Sequence, residues 1–259
     1  MGSKSSTEFL INNMRFWNKY PCAPSGRKNK EKLRKLQEER YSTYYWLEPF
    51  VKFDGWSGRD VLEIGSGIGI DSSTFLGSGG RVVSLDLSSN SLRLAKTMFD
   101  GNFINASALN LKNLFRRKFD LVYSFGVLHH IPNIEAVIDQ IHRILKDGGE
   151  IIIMLYNKNS LNYFKKFLVN GLLRGWLSKS KSASELIKNT ERGASDELRP
   201  YMSCYTVKQV RKLFSKFRNL KTEIHLLAPS DFPIFKIPGI LLKSLESKLG
   251  WFILARGMK

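Results

Sequence analysis

An acidic residue followed by spaced glycines is the feature of this chain whose residue types and spacing could do chemistry. Glu63 lies among apolar residues typical of a short buried strand, and glycines follow at positions 65, 67 and 69. Glycine permits a sharp backbone turn and lets a ligand approach closely, because it has no Cβ. We therefore expect a strand–turn–helix unit that holds a nucleotide-like cofactor at the carboxyl edge of a parallel sheet.

The spacing of these glycines distinguishes between cofactors. A dinucleotide fingerprint, Gly-x-Gly-x-x-Gly, would place its last glycine or alanine at position 70. That position is Ile70, so a dehydrogenase is disfavoured. An ordinary glycine-rich turn is the alternative, and further motifs in the right order argue against it.

A second carboxylate ends the next predicted strand, which begins at Arg81. This residue, Asp86, lies 23 residues after Glu63. A carboxylate at this point can accept hydrogen bonds from both hydroxyl groups of a ribose. The alternative is an ordinary surface Asp at the end of a strand.

Two adjacent histidines, His129 and His130, follow a later predicted strand and are the titratable pair of their loop. An imidazole, with an ordinary pKa of about 6.5, can take up a proton at neutral pH. A structural role, in which one of them caps or packs against the following helix, is the alternative. A direct catalytic role for either histidine therefore stays open at this point.

Strands and helices alternate between residues 59 and 157, which predicts an α/β fold with a doubly wound, mostly parallel sheet. The predicted strands are 60–64, 81–86, 102–106, 119–125 and 151–156. Helices are predicted from about residue 70, from Ser88 or Ser89 to Met98, and over 134–145. We interpret 59–157 as the cofactor-binding core.

The flanks of this core have a different composition. Residues 1–58 are interpreted as an N-terminal helical cap, with helical composition from Glu31 to Trp46. Residues 158–204 are interpreted as an insert or lid on the substrate side, where Leu161 to Leu177 mixes apolar side chains at near-helical spacing with basic ones. Residues 205–259 complete the α/β domain, with a helix over 207–217 and strands at 221–228 and 250–256.

These ordered motifs together resemble the class I S-adenosylmethionine-dependent methyltransferases, in the broad group that includes ubiquinone and menaquinone methyltransferases. The resemblance is good from about residue 59 to 156 and weaker from 205 to 257. It implies a Rossmann-like sheet of seven strands and S-adenosyl-L-methionine as the cofactor. It also implies cofactor contacts from Glu63, Gly65, Ser66, Gly67, Gly69, Asp86, Leu87, Ser107 and Phe125.

One position departs from the family pattern. After the third strand the family usually has an Asp that binds the adenine amino group, and the corresponding residue here is Ser107. A serine hydroxyl can still accept a hydrogen bond, or the backbone can make this contact.

The resemblance also implies candidate catalytic residues, because the loop after strand four lies under the reactive sulfonium in this family. We assign His129, His130 and Tyr156 to this group, with packing as an equal alternative for Tyr156. Catechol-type quinone methyltransferases carry a Glu-x-x-Glu-His metal site here, whereas this chain has Gly-Val-Leu-His-His over 126–130, so we predict no metal. Methyl transfer depends mostly on positioning, and a base is needed only when the acceptor is protonated.

The net charge of +18 is unevenly distributed along the chain. Residues 1–58 carry 11 Lys/Arg and 6 Asp/Glu, residues 59–157 carry 10 of each, and residues 158–259 carry 20 and 7. A solubilising surface accounts for basic flanks. Attraction to an anionic substrate, a membrane surface or nucleic acid is the functional alternative.

Two cysteines, Cys22 and Cys204, argue against a disulfide framework and fit a reducing compartment. We expect a cytoplasmic protein, with peripheral membrane contact left open. The leading hypothesis is a methyltransferase for a small-molecule acceptor, which an anionic or lipid-like compound would fit. The alternatives are an RNA or protein methyltransferase drawn by the basic flanks, although no nucleic-acid-binding motif is visible, and a cofactor-binding scaffold without turnover.

Overall fold

The computed structural model describes residues 6–20, 30–116, 118–168, 200–228 and 238–259. Within these ranges the chain forms one seven-stranded sheet with helices on both faces. The predicted fold class is therefore confirmed.

The strands run in the order β3-β2-β1-β4-β5-β7-β6 across the sheet. Strands β1 to β5 are parallel to one another, and β7 is antiparallel to both β5 and β6. The strands are β1 Asp60–Ile64, β2 Arg81–Asp86, β3 Asn102–Asn105, β4 Phe119–Phe125, β5 Leu145–Tyr156, β6 Arg218–His225 and β7 Phe252–Met258. Strand order reverses direction between β1 and β4, and ligands of doubly wound sheets bind at such a reversal, beyond the carboxyl ends of the strands.

The helices connect these strands and extend the chain at its N-terminus. They are α1 Ser6–Lys19, α2 Lys30–Thr43, α3 Leu47–Val51, α4 Ile70–Gly77, α5 Ser89–Met98, α6 Leu111–Leu114, α7 Ile134–Ile144, α8 Leu161–Leu168, α9 Val207–Leu213 and α10 Gly239–Leu249. Short 3-10 turns lie at Phe53–Trp56, Ala108–Asn110 and Leu128–His130. Among the described helices none is long and apolar enough to cross a membrane.

Apolar side chains alternate between the two faces of the sheet, as the two-residue repeat of a strand requires. In β1, Leu62 and Ile64 join the buried cluster under α7, while Val61 joins the cluster on the opposite face. The buried side chains of α7, such as Val137 and Ile141, each stabilise the fold by about 1.5–3 kcal/mol. The sheet is thus packed on both faces, and its carboxyl edge remains for a site.

Three of the predicted strands, 60–64, 81–86 and 119–125, have the predicted bounds. The predicted strand 102–106 ends one residue earlier, at Asn105. The predicted strand 151–156 begins earlier, at Leu145, because Leu145 already pairs with Phe119 ahead of a register shift. The polar, glycine-containing stretch before residue 151 is therefore part of β5, although its composition is typical of a turn.

The C-terminal elements differ from the prediction by a few residues. The predicted helix 207–217 ends at Leu213, because Phe214 and Phe217 turn into the core and Arg218 begins β6. The predicted strands 221–228 and 250–256 are observed as Arg218–His225 and Phe252–Met258. The two strands pair from His225 opposite Phe252 to Arg218 opposite Met258, and this pairing sets their bounds. Helix α10 was not predicted.

The predicted amphipathic segment 161–177 is a helix over Leu161–Leu168. Its remainder belongs to 169–199, which lies outside the described residues, as does Cys22. The predicted helix 31–46 is observed as Lys30–Thr43, and the segment Leu47–Val51 that follows it is a separate short helix.

Candidate active site

A cavity of about 1260 Å³ lies along the carboxyl ends of the parallel strands. Ile64 of β1, Asp86 of β2, Phe125 of β4 and Tyr156 of β5 all line it. It therefore occupies the place where the strand order reverses, which is where the topology predicts a ligand site.

The loop after β1 borders this cavity at Gly65, Ser66 and Gly67. Gly65 has φ +77°, and a Cβ at this position would collide with the Val127 side chain. Gly67 has φ +56°, and a Cβ there would project into open space. The loop thus needs glycine for its left-handed backbone and leaves room for a ligand against residue 67.

The carboxylate of Asp86 is held by the backbone on both oxygens. The Gly67 N–H donates to Oδ2 at 2.7 Å, and the Ser88 N–H donates to Oδ1 at 2.7 Å. Burial raises the pKa of Asp86, and the backbone hydrogen bonds from Ser88, Gly67 and Leu87 oppose that shift. Each carboxylate oxygen accepts more than one hydrogen bond, so the clamp orients Asp86 and leaves capacity for a ligand hydroxyl.

Glu63 lies beneath the glycine loop and is buried. The Ser72 hydroxyl donates to its Oε2, and the Ser72 and Ser84 hydroxyl oxygens are 2.6 Å apart. Burial, followed by the charge of Asp71, raises the pKa of Glu63 to about 8. The Glu63 side chain is therefore largely protonated at neutral pH.

An ion pair between Arg40 of the N-terminal segment and Asp71 of α4 lies at the wall of the same cavity. Arg40 of α2 donates through Nε to Oδ1 of the buried Asp71 at 2.6 Å, and Tyr123 donates to the other carboxylate oxygen at 2.7 Å. The Arg40 guanidinium also lies 4.6 Å from the centre of the Phe125 ring. The ion pair joins α2 to α4 at the cavity wall.

Ser66, Leu87 and Ser107 also line the cavity. The Ser107 Oγ accepts a hydrogen bond from the Leu109 N–H at 3.2 Å and so caps the short 3-10 turn that follows. The Ser66 Oγ is buried and has no hydrogen-bond partner among the residues that the structure describes. A buried hydroxyl without a partner is unfavourable, and a polar ligand in the cavity would satisfy it.

The other end of the cavity is lined by aromatic side chains. Tyr44, Phe125, Tyr156 and Phe252 contribute rings, and Met154 adds an apolar thioether. The Phe125 ring centre lies 5.5 Å from that of Tyr44 and 5.5 Å from that of Phe252. This end fits an apolar, flat group better than a highly charged one.

His130 lines the cavity between these two ends. Its Nδ1 is 2.7 Å from the carbonyl oxygen of Tyr201. Because a carbonyl oxygen only accepts, the shared proton belongs to Nδ1. In the neutral ring Nε2 is then the atom that can accept a proton.

Comparisons with known proteins agree with this architecture. A family model described as a methyltransferase domain matches residues 62–153. The chain is 26% identical over 157 residues to the ubiquinone biosynthesis O-methyltransferase of Idiomarina loihiensis, which covers 56% of this chain and 65% of that protein. The protein of the same name from Nitrosomonas europaea is 30% identical over 42% of this chain and 48% of its own length. The chain thus spans about half to two thirds of these relatives.

Solved structures show the same fold. A SAM-dependent methyltransferase from Archaeoglobus fulgidus aligns with a TM-score of 0.56 at 16% identity, over 89% of this chain and 97% of that one. Magnesium protoporphyrin IX methyltransferase from Synechocystis aligns with a TM-score of 0.59 at 11% identity, over 97% and 99%. The family model thus identifies the domain over residues 62–153, and the solved structures show its fold.

Residues 62–153 are a methyltransferase domain, and the chain has the fold of the class I S-adenosylmethionine-dependent methyltransferases.

The methyltransferase cavity is lined by most of the residues that the sequence assigned to the cofactor, but not by Gly69. This glycine precedes α4 with φ +78°, and a Cβ there would lie 2.5 Å from the Phe99 ring. Its place in the structure therefore lets the glycine loop pack closely against the end of α5.

His129 is also absent from the cavity lining. Its side chain is fully buried, and its ring centre lies 3.8 Å from that of Tyr156, which lines the cavity. Burial, and then the neighbouring His130, lower the pKa of His129 well below its ordinary value. The structure thus separates the histidine pair: His130 reaches the cavity and His129 is a neutral ring in the core.

Several residues of the methyltransferase cavity were missed by the sequence analysis. Leu10, Asn13 and Trp17 of α1 form a roof over it, and Arg40 and Asp71 form the ion pair at its wall. The aromatic run after Arg40 was a usable signal for that segment. Nothing in the composition of α1 distinguishes its cavity-facing side from a surface.

Metal ligands were not predicted for this site. Within the described ranges, no three His, Cys, Asp or Glu side chains lie close enough together to hold a metal ion.

Proposed function

We propose that this protein transfers the methyl group of S-adenosylmethionine to a small-molecule acceptor bound at the aromatic end of the cavity. One observation carries the proposal. The Asp86 carboxylate is clamped by backbone N–H groups at the strand reversal, directly beside the open face of Gly67.

The residues present fit the cofactor. Asp86 would accept hydrogen bonds from the ribose hydroxyls, and Gly65 and Gly67 would allow the backbone to approach the ligand. The buried Ser66 hydroxyl, which has no partner among the described residues, would gain one. When bound, the cofactor supplies an already activated methyl group.

Orientation is the main contribution that the chain would make to the reaction. The rings of Tyr44, Phe125, Tyr156 and Phe252 would hold the acceptor and exclude water from it. A well-oriented pair of reactants can lower the barrier by about 7–11 kcal/mol. Such a gain does not require a charged catalytic group in the cavity.

Proton removal is needed only for an acceptor that is protonated at the working pH. We assign this task to His130, whose Nε2 accepts a proton when Nδ1 donates to the Tyr201 carbonyl. Tyr156, which lines the same cavity, would orient the acceptor.

Relatives support a small-molecule acceptor. The characterised relatives are named for ubiquinone biosynthesis, and a solved structural neighbour is named for magnesium protoporphyrin IX. The aromatic lining of the cavity agrees with acceptors that have an apolar or planar part. The acceptor atom, whether oxygen, nitrogen or carbon, stays open.

A peripheral contact with anionic lipid is a further part of this proposal. On α8, Phe164 and Leu168 are 59% and 39% exposed, and Lys165 and Lys166 lie between them in sequence. Apolar side chains flanked by lysines are typical of helices that lie in a membrane interface. Such a contact would bring a lipid-like acceptor to the cavity.

The proposal is tested by incubating the full chain with S-adenosylmethionine carrying a labelled methyl group. Panels of aromatic alcohols, carboxylic acids and amines are compared with total RNA and with a mixture of proteins. We expect label in a small-molecule product, and its loss in Asp86→Ala. Label in RNA or protein would favour the corresponding alternative enzyme, and tight cofactor binding without any transfer would favour a scaffold.

A further inference from the structure

Asn13 joins three distant parts of the chain at the cavity roof. It lies on α1 and is 6% exposed. Its Nδ2 donates to the backbone carbonyl of His130 at 2.6 Å, and its Oδ1 accepts from the backbone N–H of Tyr201 at 2.9 Å. Both partners have fixed polarity, so they determine which end of the amide faces which segment.

These bonds close a ring with the His130 side chain. The His130 Nδ1 donates to the Tyr201 carbonyl at 2.7 Å, and the Tyr201 N–H returns to Asn13. One residue therefore holds the backbone of His130 and, at the same time, the peptide segment that accepts the imidazole proton. Without the Asn13 amide, the Ser203 N–H to His129 carbonyl hydrogen bond of 2.9 Å would still join the two segments, but the His130 carbonyl and the Tyr201 N–H would lose their shared partner.

Neighbouring side chains on α1 reinforce this arrangement. Phe9 and Trp17 lie one turn before and one turn after Asn13, on the same side of the helix. The Phe9 ring packs edge-on against Tyr201 at 5.5 Å, and the Trp17 ring packs against His130 at 5.1 Å. The imidazole is thus confined by a helix that also roofs the cavity.

A second anchor ties the other end of α1 to the loop after Asp86. The Asn18 Oδ1 accepts from the Ser88 hydroxyl at 3.0 Å, and its backbone carbonyl accepts from the Asn90 Nδ2 at 2.8 Å. Helix α1 therefore has two separate polar attachments, Asn18 on the cofactor side and Asn13 on the His130 side.

We propose that Asn13 is a positioning residue, which fixes the His130 imidazole in its Nδ1-protonated form within the cavity wall. The use of the imidazole as a base rests on the proposed function, but its placement does not. Among the described residues, the titratable rings that contact His130 include His129 from its own loop and Tyr156 from β5, while α1 contributes the Trp17 ring and the neutral Asn13 amide.

Nuclear magnetic resonance of the imidazole nitrogens tests this proposal without an acceptor. The full chain contains 4 histidines, so ¹⁵N-histidine labelling gives a short spectrum, in which His130→Gln identifies one ring. At a pH of about 8, where an imidazole is neutral, the wild type should show His130 with its proton on Nδ1. In Asn13→Ala we expect the Nδ1-protonated fraction to fall at least about twofold, toward the mixture of an unconstrained ring.

Two asparagines on the same helix provide matched controls. Asn12 does not line the cavity, so Asn12→Ala should leave the His130 signal unchanged. Asn18→Ala removes the side-chain hydrogen bonds of the other attachment of α1, and we expect it to keep the tautomer and to weaken binding of S-adenosylhomocysteine. The proposal is overturned if Asn13→Ala keeps the wild-type tautomer, or if Asn18→Ala shifts it equally.

A second variant, Asn13→Asp, distinguishes loss of the Asn13 hydrogen bond from misfolding of the Asn13→Ala protein. Asn13→Asp keeps an acceptor for the Tyr201 N–H and loses the donor to the His130 carbonyl, and the same change in tautomer is expected. In the transfer assay, Asn13→Ala should lower kcat about tenfold, with no further loss in a His130→Gln background. A tautomer shift without any transfer activity would refute the proposed function alone, whereas additive losses in kcat would refute the positioning role.

Discussion

At the scale of single residues, Asp86 is the residue on which we expect cofactor binding to depend most. Its carboxylate is oriented by the backbone N–H groups of Gly67 and Ser88. Such a carboxylate is ready to accept ligand hydroxyls without first ordering itself. This preorganisation reduces the entropic cost of binding.

The Asp86→Ala variant should therefore bind S-adenosylhomocysteine at least about 100-fold more weakly, because hydrogen bonds to a charged group contribute about 1.5–3 kcal/mol each. Calorimetric titration measures this change. The control is Asp100→Ala, which alters an exposed carboxylate that does not line the cavity. Equal affinity of the wild type and Asp86→Ala would refute the ribose contact.

The raised pKa of Glu63 predicts that the stability of the protein depends on pH. In the folded protein the Glu63 carboxyl has a pKa of about 8, whereas a glutamate in the unfolded chain has a pKa of about 4.3. Between these values the folded state binds more protons, so the free energy of unfolding falls as the pH rises.

We expect the stability of the wild type relative to Glu63→Gln to decrease by about 1–3 kcal/mol between about pH 5 and pH 8. Urea unfolding of both proteins at each pH measures it. Glutamine cannot ionise, so it removes this one titration and keeps a side chain of similar size. An unchanged difference between the two proteins would show that Glu63 titrates normally in the folded state.

At the scale of elements, Gly65 in the loop between β1 and α4 has two constraints, a positive φ and no room for a Cβ. Gly58, which precedes β1, shares only the positive φ and so separates the two. Gly65 and Gly58 both have positive φ, +77° and +67°. A Cβ on Gly65 would collide with Val127, whereas a Cβ on Gly58 would meet nothing within 4 Å.

Gly65→Ala should therefore destabilise the chain more than Gly58→Ala, which bears only the backbone strain of about 1–2 kcal/mol. It should also weaken cofactor binding, because Val127 lines the cavity and would have to move. Thermal unfolding and calorimetry on both variants test this. Equal destabilisation with unchanged binding in both would contradict the role given to the Gly65–Val127 contact.

The elements also show what the sequence could predict. Strands such as β1, β2 and β4 are apolar runs bounded by turn residues, and these local signals set their bounds. Asp86 and His130, which line the cavity, were predicted as site residues because Asp86 ends β2 and His130 lies in the loop after β4. Asn13 and Arg40 were missed, because their partners lie 117 and 31 positions away, respectively, and no local pattern reveals those contacts. The sequence did not distinguish His130, which lines the cavity, from His129, which does not, because the two are adjacent on one 3-10 turn.

At the scale of the whole molecule, the charge is concentrated outside the cofactor core. Residues 158–259 carry 20 Lys/Arg against 7 Asp/Glu, whereas 59–157 carry 10 of each. This excess of basic residues, together with the exposed apolar residues of α8, favours a negatively charged partner surface.

We expect the full chain to co-sediment with vesicles containing phosphatidylserine, less with neutral phosphatidylcholine vesicles, and less again at high salt. Phe164→Ser with Leu168→Ser should reduce binding to the anionic vesicles about tenfold or more, through lost apolar burial. Leu114→Ser is the control, since Leu114 is 37% exposed on a different helix, α6. Equal binding by all of these proteins would refute the α8 contact.

Calorimetric titration of the full chain with S-adenosylmethionine, S-adenosylhomocysteine and NAD tests whether the cavity at the strand reversal binds S-adenosylmethionine. We expect the first two to bind, with dissociation constants on the order of micromolar, and NAD not to bind. Binding of NAD in their place would refute the proposed cofactor, since Ile70 and the Asp86 clamp would then belong to a dinucleotide site.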